Sequence, residues 1–290
     1  MYYPFLRARQ FELITLRDLA NEGALNEFIK PILEPVKETF NNLNLASKVF
    51  QKKQVKVYLI VNPIVGELAG DDLYILNYLR ENEINSFIPA FYYHNNEEFI
   101  QQSIDDYGLT DCMLICPSNI YEDNEELRNL VQQPQITSLN VEDPGRNRSL
   151  HRFFSGLGKT YIRLDDLFEK QPRNSEFLGI PEHKFSEEHK YYIEENFQGF
   201  SDFTVIPSEF SDGGSTPRAV VIHFTYLKET NDIWIKHFTS ETNDSISNVQ
   251  GKFSEAASKA VQFCRENQLS NSAIVELEDY FDNQHYPGLG

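Results

Sequence analysis

Apolar residues recur along this chain in short runs that alternate with longer, more polar segments. The clearest run, 55–61, is apolar at nearly every position, which is typical of a strand that is covered on both faces. The segment 39–53 instead carries Phe40, Leu43 and Phe50 at helical spacing, so that they share one stripe. The pattern therefore predicts strands and helices in alternation.

Eight strands are predicted in this way, and most are separated by one helix. Strict strand–helix alternation favours a parallel sheet, and eight units favour closure of that sheet into a (β/α)8 TIM-type barrel of the α/β class. An open, doubly wound sheet is the alternative. The predicted strands lie near residues 2, 31, 55, 86, 112, 136, 160 and 203.

We predict one α/β-barrel domain over residues 1–290, with two insertions. The polar segment 167–199 interrupts the alternation before the last strand, at 202–207, and is interpreted as a lid or as a surface for a partner. Residues 219–241 have the composition of an inserted β-hairpin. The helix predicted over 248–268 is expected to be the eighth outer helix of the barrel.

A barrel of this kind binds its ligands on the loops that follow the strands. Polar residues of both charge signs gather at these strand ends, as a ligand pocket requires. The carboxylates Glu34, Asp143 and Asp165 can act as general acid or base or hold a divalent cation, and each is also a residue type that caps helices or forms rim salt bridges. The residues predicted to contact a ligand are Arg7, Arg9, Gln10, Lys37, Asn62, Tyr92, Arg163, Ser208, Asp212, Gly213 and Gly214.

A glycine-rich loop, 208–217, follows the predicted last strand. Gly213 and Gly214 can adopt positive φ, which lets several backbone N–H groups point at one spot. The loops after the last two strands of such barrels commonly bind phosphate, and nearby cationic groups suit a phosphate or carboxylate. The loop predicts a phosphate-bearing ligand, with an ordinary turn as the alternative.

Two histidines lie on opposite arms of the predicted hairpin. Folding of the chain back about Thr230 brings His223 and His237 near each other. Paired imidazoles can serve as metal ligands or as acid–base groups, and they can equally be half-buried strand residues. We treat both as candidate catalytic residues.

Composition narrows the range of partners. The chain has 26 basic and 44 acidic residues, a net charge of −18, which disfavours direct binding to nucleic acid or anionic membranes and suits a basic protein partner. Cys112, Cys116 and Cys264 occur in apolar or helical contexts and are interpreted as core residues in a reducing compartment. Without a signal peptide or an apolar run of spanning length, we expect a soluble cytoplasmic protein.

The motifs of the common cofactor sites do not occur. The chain has no Walker A loop, GxGxxG, GxSxG, HExxH or CxxC pattern. Nicotinamide, P-loop and structural-zinc chemistry are therefore unsupported, no cofactor is predicted, and whether the protein is an enzyme stays open.

Several phrases of the sequence carry a family resemblance, namely MYYPFLRARQFELITLRDL, PILEPVK, LIVNP, FTVIPSEFSDGG, AVVIHFTY and IKHFTSE. With these phrases, over nearly its whole length, the chain resembles a little-characterised bacterial family related to the phage beta-protein family. The resemblance implies a degenerate α/β barrel and a role in phage defence or mobile elements. It implies no set of catalytic residues.

Three functional hypotheses follow. The first is a defence-associated barrel that binds or processes a phosphate-bearing small molecule or nucleotide at its mouth. The second is a non-enzymatic acidic module that docks a co-encoded partner such as a nuclease. The third is a metal-dependent phosphodiesterase that uses Glu34, Asp143, Asp165, His223 and His237.

Overall fold

The computed structural model describes residues 1–71, 73–120, 125–213 and 216–286. The chain divides into two compact units where one domain was expected. The first, which we call the barrel unit, comprises Met1–Asp166 and Glu188–Thr204. The second, the hairpin unit, comprises Leu167–Glu187 and Val205–Gly290.

The strands of the described residues are β1 (Tyr2–Leu6), β2 (Ile32–Leu33), β3 (Val57–Ile60), β4 (Phe87–Tyr92), β5 (Cys112–Cys116), β6 (Ile136–Glu142), β7 (Thr160–Asp165), β8 (Glu182–Ser186), β9 (Gly199–Asp202), β10 (Val221–Leu227) and β11 (Ile233–Thr239). The helices are α1 (Gln10–Glu22), α2 (Asn41–Lys53), α3 (Tyr74–Glu81), α4 (Glu97–Tyr107), α5 (Glu125–Gln132), α6 (Arg148–Ser155), α7 (Glu188–Tyr191), α8 (Val249–Glu266) and α9 (Ser272–Asp282), with a 3-10 helix at Asn174–Gly179. Among these helices, none combines the length and the apolar character needed to cross a membrane.

The barrel unit contains a closed parallel barrel in the order β1-β2-β3-β4-β5-β6-β7-β9. Closure occurs where β9 pairs with β7 on one side and with β1 on the other. Helices α1 to α6 each follow one of the first six strands. The predicted (β/α)8 TIM-type barrel is confirmed, and the open-sheet alternative is wrong.

Side chains of the barrel strands alternate between the helix layer and the barrel interior. Leu59 and Leu114 face outward and belong to the apolar core that contains helix residues such as Phe50. Tyr3 and Tyr58 face inward, with ring centroids 6.1 Å apart. Because both faces of each strand are covered, the strands have the continuous apolar runs from which they were predicted.

The last barrel strand lies earlier in the chain than predicted. Residues Gly199–Asp202 form β9, whereas the apolar run 203–207 leaves the sheet. Thr204 has a φ of 59°, and its N–H donates to the Asp202 carboxylate at 2.8 Å. This turn ends the strand at Asp202. Because hydrophobicity does not indicate the turn, the strand was predicted too far along the chain.

The hairpin unit has an antiparallel sheet in the order β10-β11-β8. The predicted hairpin is confirmed by the pairing of β10 with β11. β8 comes from within the segment 167–199, where only a helix over residues 186–197 was predicted, and that helix is reduced to α7. A strand of polar composition, EHKFS, does not show the apolar pattern on which strand prediction depends.

Helix α8 confirms the predicted terminal helix but not its expected role as an outer helix of the barrel. It belongs to the hairpin unit, where Phe263 contacts the rings of Phe224, Tyr226 and Phe238 at centroid distances of 6.2, 5.1 and 5.6 Å. The aromatic face of β10 and β11 needs an apolar cover, and α8 supplies it.

Gly66 lies where the loop after β3 meets the loop after β2. Its φ is +87°, and a Cβ atom there would lie 2.5 Å from the carbonyl oxygen of Val36. We expect Gly66→Ala to lower the free energy of unfolding by about 1–3 kcal/mol, because it adds a backbone collision to an unfavourable φ. Gly70→Ala is the matched control, since Gly70 also has φ +87° but open space around a Cβ. Urea unfolding measures the stability of both variants, and equal losses of unfolding free energy would contradict the predicted collision.

Candidate functional site

A buried ion pair lies at the carboxyl ends of the first two barrel strands. Arg7 follows β1 and is 4 % exposed, and Glu34 follows β2 and is fully buried. Arg7 Nη1 donates to Glu34 Oε2. The guanidinium carbon of Arg7 also lies 5.5 Å from the ring centroid of Phe5 and 5.4 Å from that of Phe203. Arg7 is thereby held between an acid and two aromatic rings.

Glu34 is also contacted by other elements. Its Oε1 accepts the backbone N–H of Ile64 at 3.2 Å, and the Tyr92 hydroxyl lies within hydrogen-bonding reach. Burial raises the pKa of Glu34 above its ordinary value, while the Arg7 charge and these hydrogen bonds oppose the rise. Burial, followed by the Glu34 carboxylate, raises the pKa of Tyr92 well above its usual range. Glu34 is therefore a carboxyl whose affinity for a proton is increased by burial.

Asn62 positions Tyr92. Its Nδ2 donates to the Tyr92 carbonyl at 2.9 Å, and its Oδ1 accepts the Tyr92 N–H at 2.8 Å. These two bonds continue the β3–β4 pairing beyond the last residue of β3. Asn62, predicted as a ligand contact, is thus occupied in holding the end of β4.

The inward face of β6 adds two polar groups. Glu142 Oε2 accepts the Ser118 N–H at 2.8 Å, and its carboxylate acts on the pKa of Tyr92, which places it near the same cluster. Asn140 lies two residues earlier and is fully buried, and neither atom of its amide has a hydrogen-bond partner. An unsatisfied buried amide costs about 1–3 kcal/mol, so Asn140 needs a partner that the described chain does not supply.

Asn140 was not predicted, although the sequence carried a signal for it. The strand ITSLNVE has polar residues at Ser138, Asn140 and Glu142, which share one face by the two-residue period of a strand. Polar residues that alternate in an otherwise apolar, doubly covered strand indicate a polar patch in the barrel interior. We call the set Arg7, Glu34, Tyr92, Asn140 and Glu142 the interior cluster.

Two predicted carboxylates do not join the interior cluster. Asp143 is exposed and occupies a turn with φ 44°. Asp165 accepts from Arg163 Nε at 2.7 Å, and Arg163 also pairs with Glu195 at 2.8 Å. Because Ile162 and Leu164 are the buried inward residues of β7, the side chains that alternate with them face outward. Glu34, Asp143 and Asp165 are therefore not brought together.

The remaining predicted ligand residues have other environments. Arg9 is the N-cap of α1, where its backbone N–H donates to Glu12 at 2.8 Å, and the exposed Gln10 begins that helix. Lys37 is exposed and pairs with Glu67 at 2.8 Å. Ser208, Asp212 and Gly213 belong to the hairpin unit, and Gly214 lies outside the described residues.

Three histidines form a row in the hairpin unit. His223 Nδ1 and His237 Nδ1 are 2.7 Å apart, which confirms the predicted proximity. His237 Nε2 lies 3.4 Å from Nδ1 of His183, a residue that was missed because no strand was predicted at β8. The ring centroid of Phe168 lies 4.9 Å from that of His223, and Phe177 lies 4.4 Å from His237. Burial lowers the pKa of His223 to about 4, and burial with the neighbouring imidazoles does the same for His237.

The histidine row does not form a metal site. His237 faces its two neighbours with different ring nitrogens, so the three imidazoles do not point at one position. Over residues 1–71, 73–120, 125–213 and 216–286, no group of three or more His, Cys, Asp or Glu side chains is arranged to hold a metal ion. The residues proposed for a metal-dependent phosphodiesterase are thus not assembled in the described parts of the chain.

Comparison of the chain with protein-family models, curated proteins and solved structures gave no match. The resemblance to the family related to the phage beta-protein family therefore stays a prediction from sequence phrases. The geometry of the interior cluster is therefore the feature of the molecule that bears on function.

Proposed function

We propose that the barrel unit binds a small phosphate- or carboxylate-bearing molecule at the carboxyl ends of its strands, where Arg7 contacts the anionic group and Glu34 exchanges a proton. The observation that carries this proposal is the convergence of the buried Arg7, Glu34 and Tyr92. The unsatisfied amide of Asn140 lies on β6 at the same level of the barrel as Tyr92, since both residues are in register with Ile115. In barrels of this class, ligands bind at this end.

The cost of the buried ion pair supports a functional role. Removing two charges from water costs several kcal/mol per ion, and the attraction between them repays this only when the geometry is excellent. Apolar residues of similar volume would serve stability as well or better at Arg7 and Glu34. Retention of both charges in the barrel interior is therefore best explained by a ligand that uses them.

Asn140 and the aromatic rings fit the other needs of a small-molecule site. Binding pockets combine apolar walls with a few polar groups that fix the orientation of the ligand. Phe5 and Phe203, with centroids 4.7 Å apart, supply apolar wall beside Arg7. The Asn140 amide offers an NH2 donor group and a carbonyl acceptor to a ligand with complementary groups.

Glu34 has the properties of a general acid or base. Burial raises its pKa above the ordinary value, which is the direction that favours general acid–base chemistry near neutral pH. Arg7 opposes this rise, so an anionic ligand that draws Arg7 away from Glu34 raises the pKa of the carboxyl further. Ligand binding and proton uptake by Glu34 are thus coupled in the proposed function.

A melting screen with matched pairs of phosphorylated and unphosphorylated metabolites and nucleotides tests the proposal. We expect at least one phosphorylated compound to raise the Tm. We expect Arg7→Lys to weaken its binding by about tenfold or more, and Glu34→Gln, which mimics the protonated carboxyl, to tighten it. Lys37→Ala, which removes an exposed cation from the same end of β2, is the control and should bind normally. No shift across the panel, or a shift that the two variants leave unchanged, would refute the site.

The docking alternative has one observation in its favour. A groove of about 480 Å³ between α4 and α5 is lined by five carboxylates, and none of its described lining residues is basic: they are Glu97, Glu98, Gln101, Gln102, Asp105, Asp106, Glu126, Asn129, Leu130 and Gln133. Such a surface fits a basic partner. The same screen separates the two functions, since a pure docking module would show no ligand shift. The phage-defence role implied by the sequence resemblance remains a proposal beside either function.

A further inference from the structure

A concavity on the outside of the barrel unit is lined by three arginines. Arg128 comes from α5, Arg148 and Arg152 come from α6, and Ser149 and Phe153 complete its described lining. Its volume is about 700 Å³, and no carboxylate belongs to that lining. In a chain with 44 acidic and 26 basic residues, a described lining with three cations and no acid is a local reversal of charge.

The position of Arg148 works against the stability of α6, although Arg152 lies in the last turn, where the helix dipole favours a cation. Arg148 is the first residue of the helix, where the helix dipole disfavours a cation. Arg148 and Arg152 are four residues apart, so their like charges repel on one face of the helix. Both are exposed, and neither forms an ion pair with a described residue. Unfavourable placements of this kind are typical of sites that are kept for a ligand.

The third arginine is oriented by an aromatic ring. The guanidinium carbon of Arg128 lies 4.1 Å from the ring centroid of Phe153. Stacking of this kind fixes the plane of a guanidinium and directs its N–H groups sideways, the geometry that binds phosphate oxygens in pairs. Because Arg128 covers one face of the Phe153 ring, that face is not a platform for a stacked base.

We propose that this concavity, the α5–α6 arginine site, binds a short oligophosphate, a chain of two or three phosphate groups as in a nucleoside triphosphate or inorganic tripolyphosphate. Three guanidinium groups match the charge of such a chain, and the anion removes both the repulsion between Arg148 and Arg152 and the unfavourable dipole interaction. The site is independent of the interior cluster.

The other side of α5 favours a short ligand over a nucleic acid. Glu126, on α5, contributes to the acidic groove between α4 and α5, whereas Arg128 lines the arginine site. A long polyanion that crossed α5 would meet the carboxylates of that groove and be repelled. A chain of two or three phosphates fits within the 700 Å³ of the arginine site.

The test is titration of the intact protein with inorganic tripolyphosphate, ATP and a 20-nucleotide single strand by calorimetry at low and moderate salt. We expect saturable binding of tripolyphosphate and ATP that weakens with salt, and at least about tenfold weaker binding in Arg148→Ala/Arg152→Ala. Binding of tripolyphosphate but not of ATP would identify a free phosphate chain as the ligand. Tighter binding of ATP than of tripolyphosphate would identify a nucleotide. Tightest binding of the oligonucleotide would overturn the choice of a short ligand.

One variant separates loss of the site from loss of the fold. Arg148→Glu places an acid at the start of α6 and opposite in charge to Arg152, so it should abolish oligophosphate binding while raising the Tm by about 1–3 °C. Arg17→Ala, on α1, is the control for loss of one positive charge away from the site. It should bind tripolyphosphate normally. Unchanged binding in Arg148→Glu, or equal weakening in Arg17→Ala, would overturn the proposal.

Discussion

Arg7→Met is expected to lower the free energy of unfolding of the barrel unit by about 3–5 kcal/mol. The substitution leaves the fully buried Glu34 without its counter-charge, and among the described residues the Ile64 N–H and the Tyr92 hydroxyl remain beside the carboxylate. The lost charge contributes more to this destabilisation than lost packing does, because methionine still fills the space beside Phe5 and Phe203.

A double variant identifies the cause of this loss. In Arg7→Met/Glu34→Gln both charges are gone, while the glutamine oxygen still accepts from Ile64, so most of the lost stability should return. Urea unfolding followed by far-UV circular dichroism measures the set. The only tryptophan, Trp234, is in β11 of the hairpin unit, so its fluorescence is an internal reference. A single variant within about 1 kcal/mol of the wild type, or a double variant no more stable than the single, would contradict the buried-charge account.

The hairpin unit is expected to lose on the order of 3–6 kcal/mol of stability as the pH falls from about 6.5 to about 4. His223 and His237 have pKa values of about 4 in the folded chain, because burial disfavours their charged forms. In the unfolded chain both bind protons near pH 6.5, so in this window the unfolded state holds more protons than the folded state. Stability is therefore complete above pH 6.5 and declines toward pH 4.

Glu182, in the same unit, titrates in a separate range. Burial raises the pKa of Glu182, but hydrogen bonds from Lys228, Lys236 and Tyr226 outweigh it and bring the pKa to about 2. The stability that this carboxylate contributes is lost only below about pH 4.5. The loss of stability caused by the histidines can thus be measured in a pH range where Glu182 does not contribute.

Trp234 fluorescence in urea, recorded from pH 7.5 to 4.5, measures this effect. We expect His223→Phe/His237→Phe to flatten the decline, because the phenylalanine rings pack against Phe168 and Phe177 without a charge to bury. His285→Gln, which changes an exposed histidine of the same unit, should keep the wild-type slope. If the double variant declined as steeply as the wild type, the histidine row would not be the cause.

The barrel was predictable because its strands are covered on both faces and its helices carry one apolar stripe. Both patterns are local, so β3 and β5 stand out without any knowledge of their neighbours. The ends of the strands were predicted less accurately, since the turn at Thr204 depends on a hydrogen bond to Asp202 that hydrophobicity does not reveal. β8 was missed because its polar residues pair with β11 in a small sheet that the sequence gives no sign of.

The site was predictable in part. The rule that ligands bind at the carboxyl ends of the strands selected Arg7, Glu34 and Tyr92, which do converge. It also selected Asp165, because the rule does not say which face of a strand a residue occupies, and a shift of one residue reverses that face. Proximity of His223 and His237 followed from alternation and the short turn, which together fix the register of a hairpin.

The three cysteines allow the opening of the barrel unit and of the hairpin unit to be measured separately. Cys112 and Cys116 are buried on β5 with thiol pKa values raised by burial to about 12, and Cys264 is buried on α8. Since alkylating reagents attack exposed thiolates, modification must wait until a strand of the barrel or the helix opens. The mass added at each position over time therefore reports, separately, how often each half of the polypeptide opens.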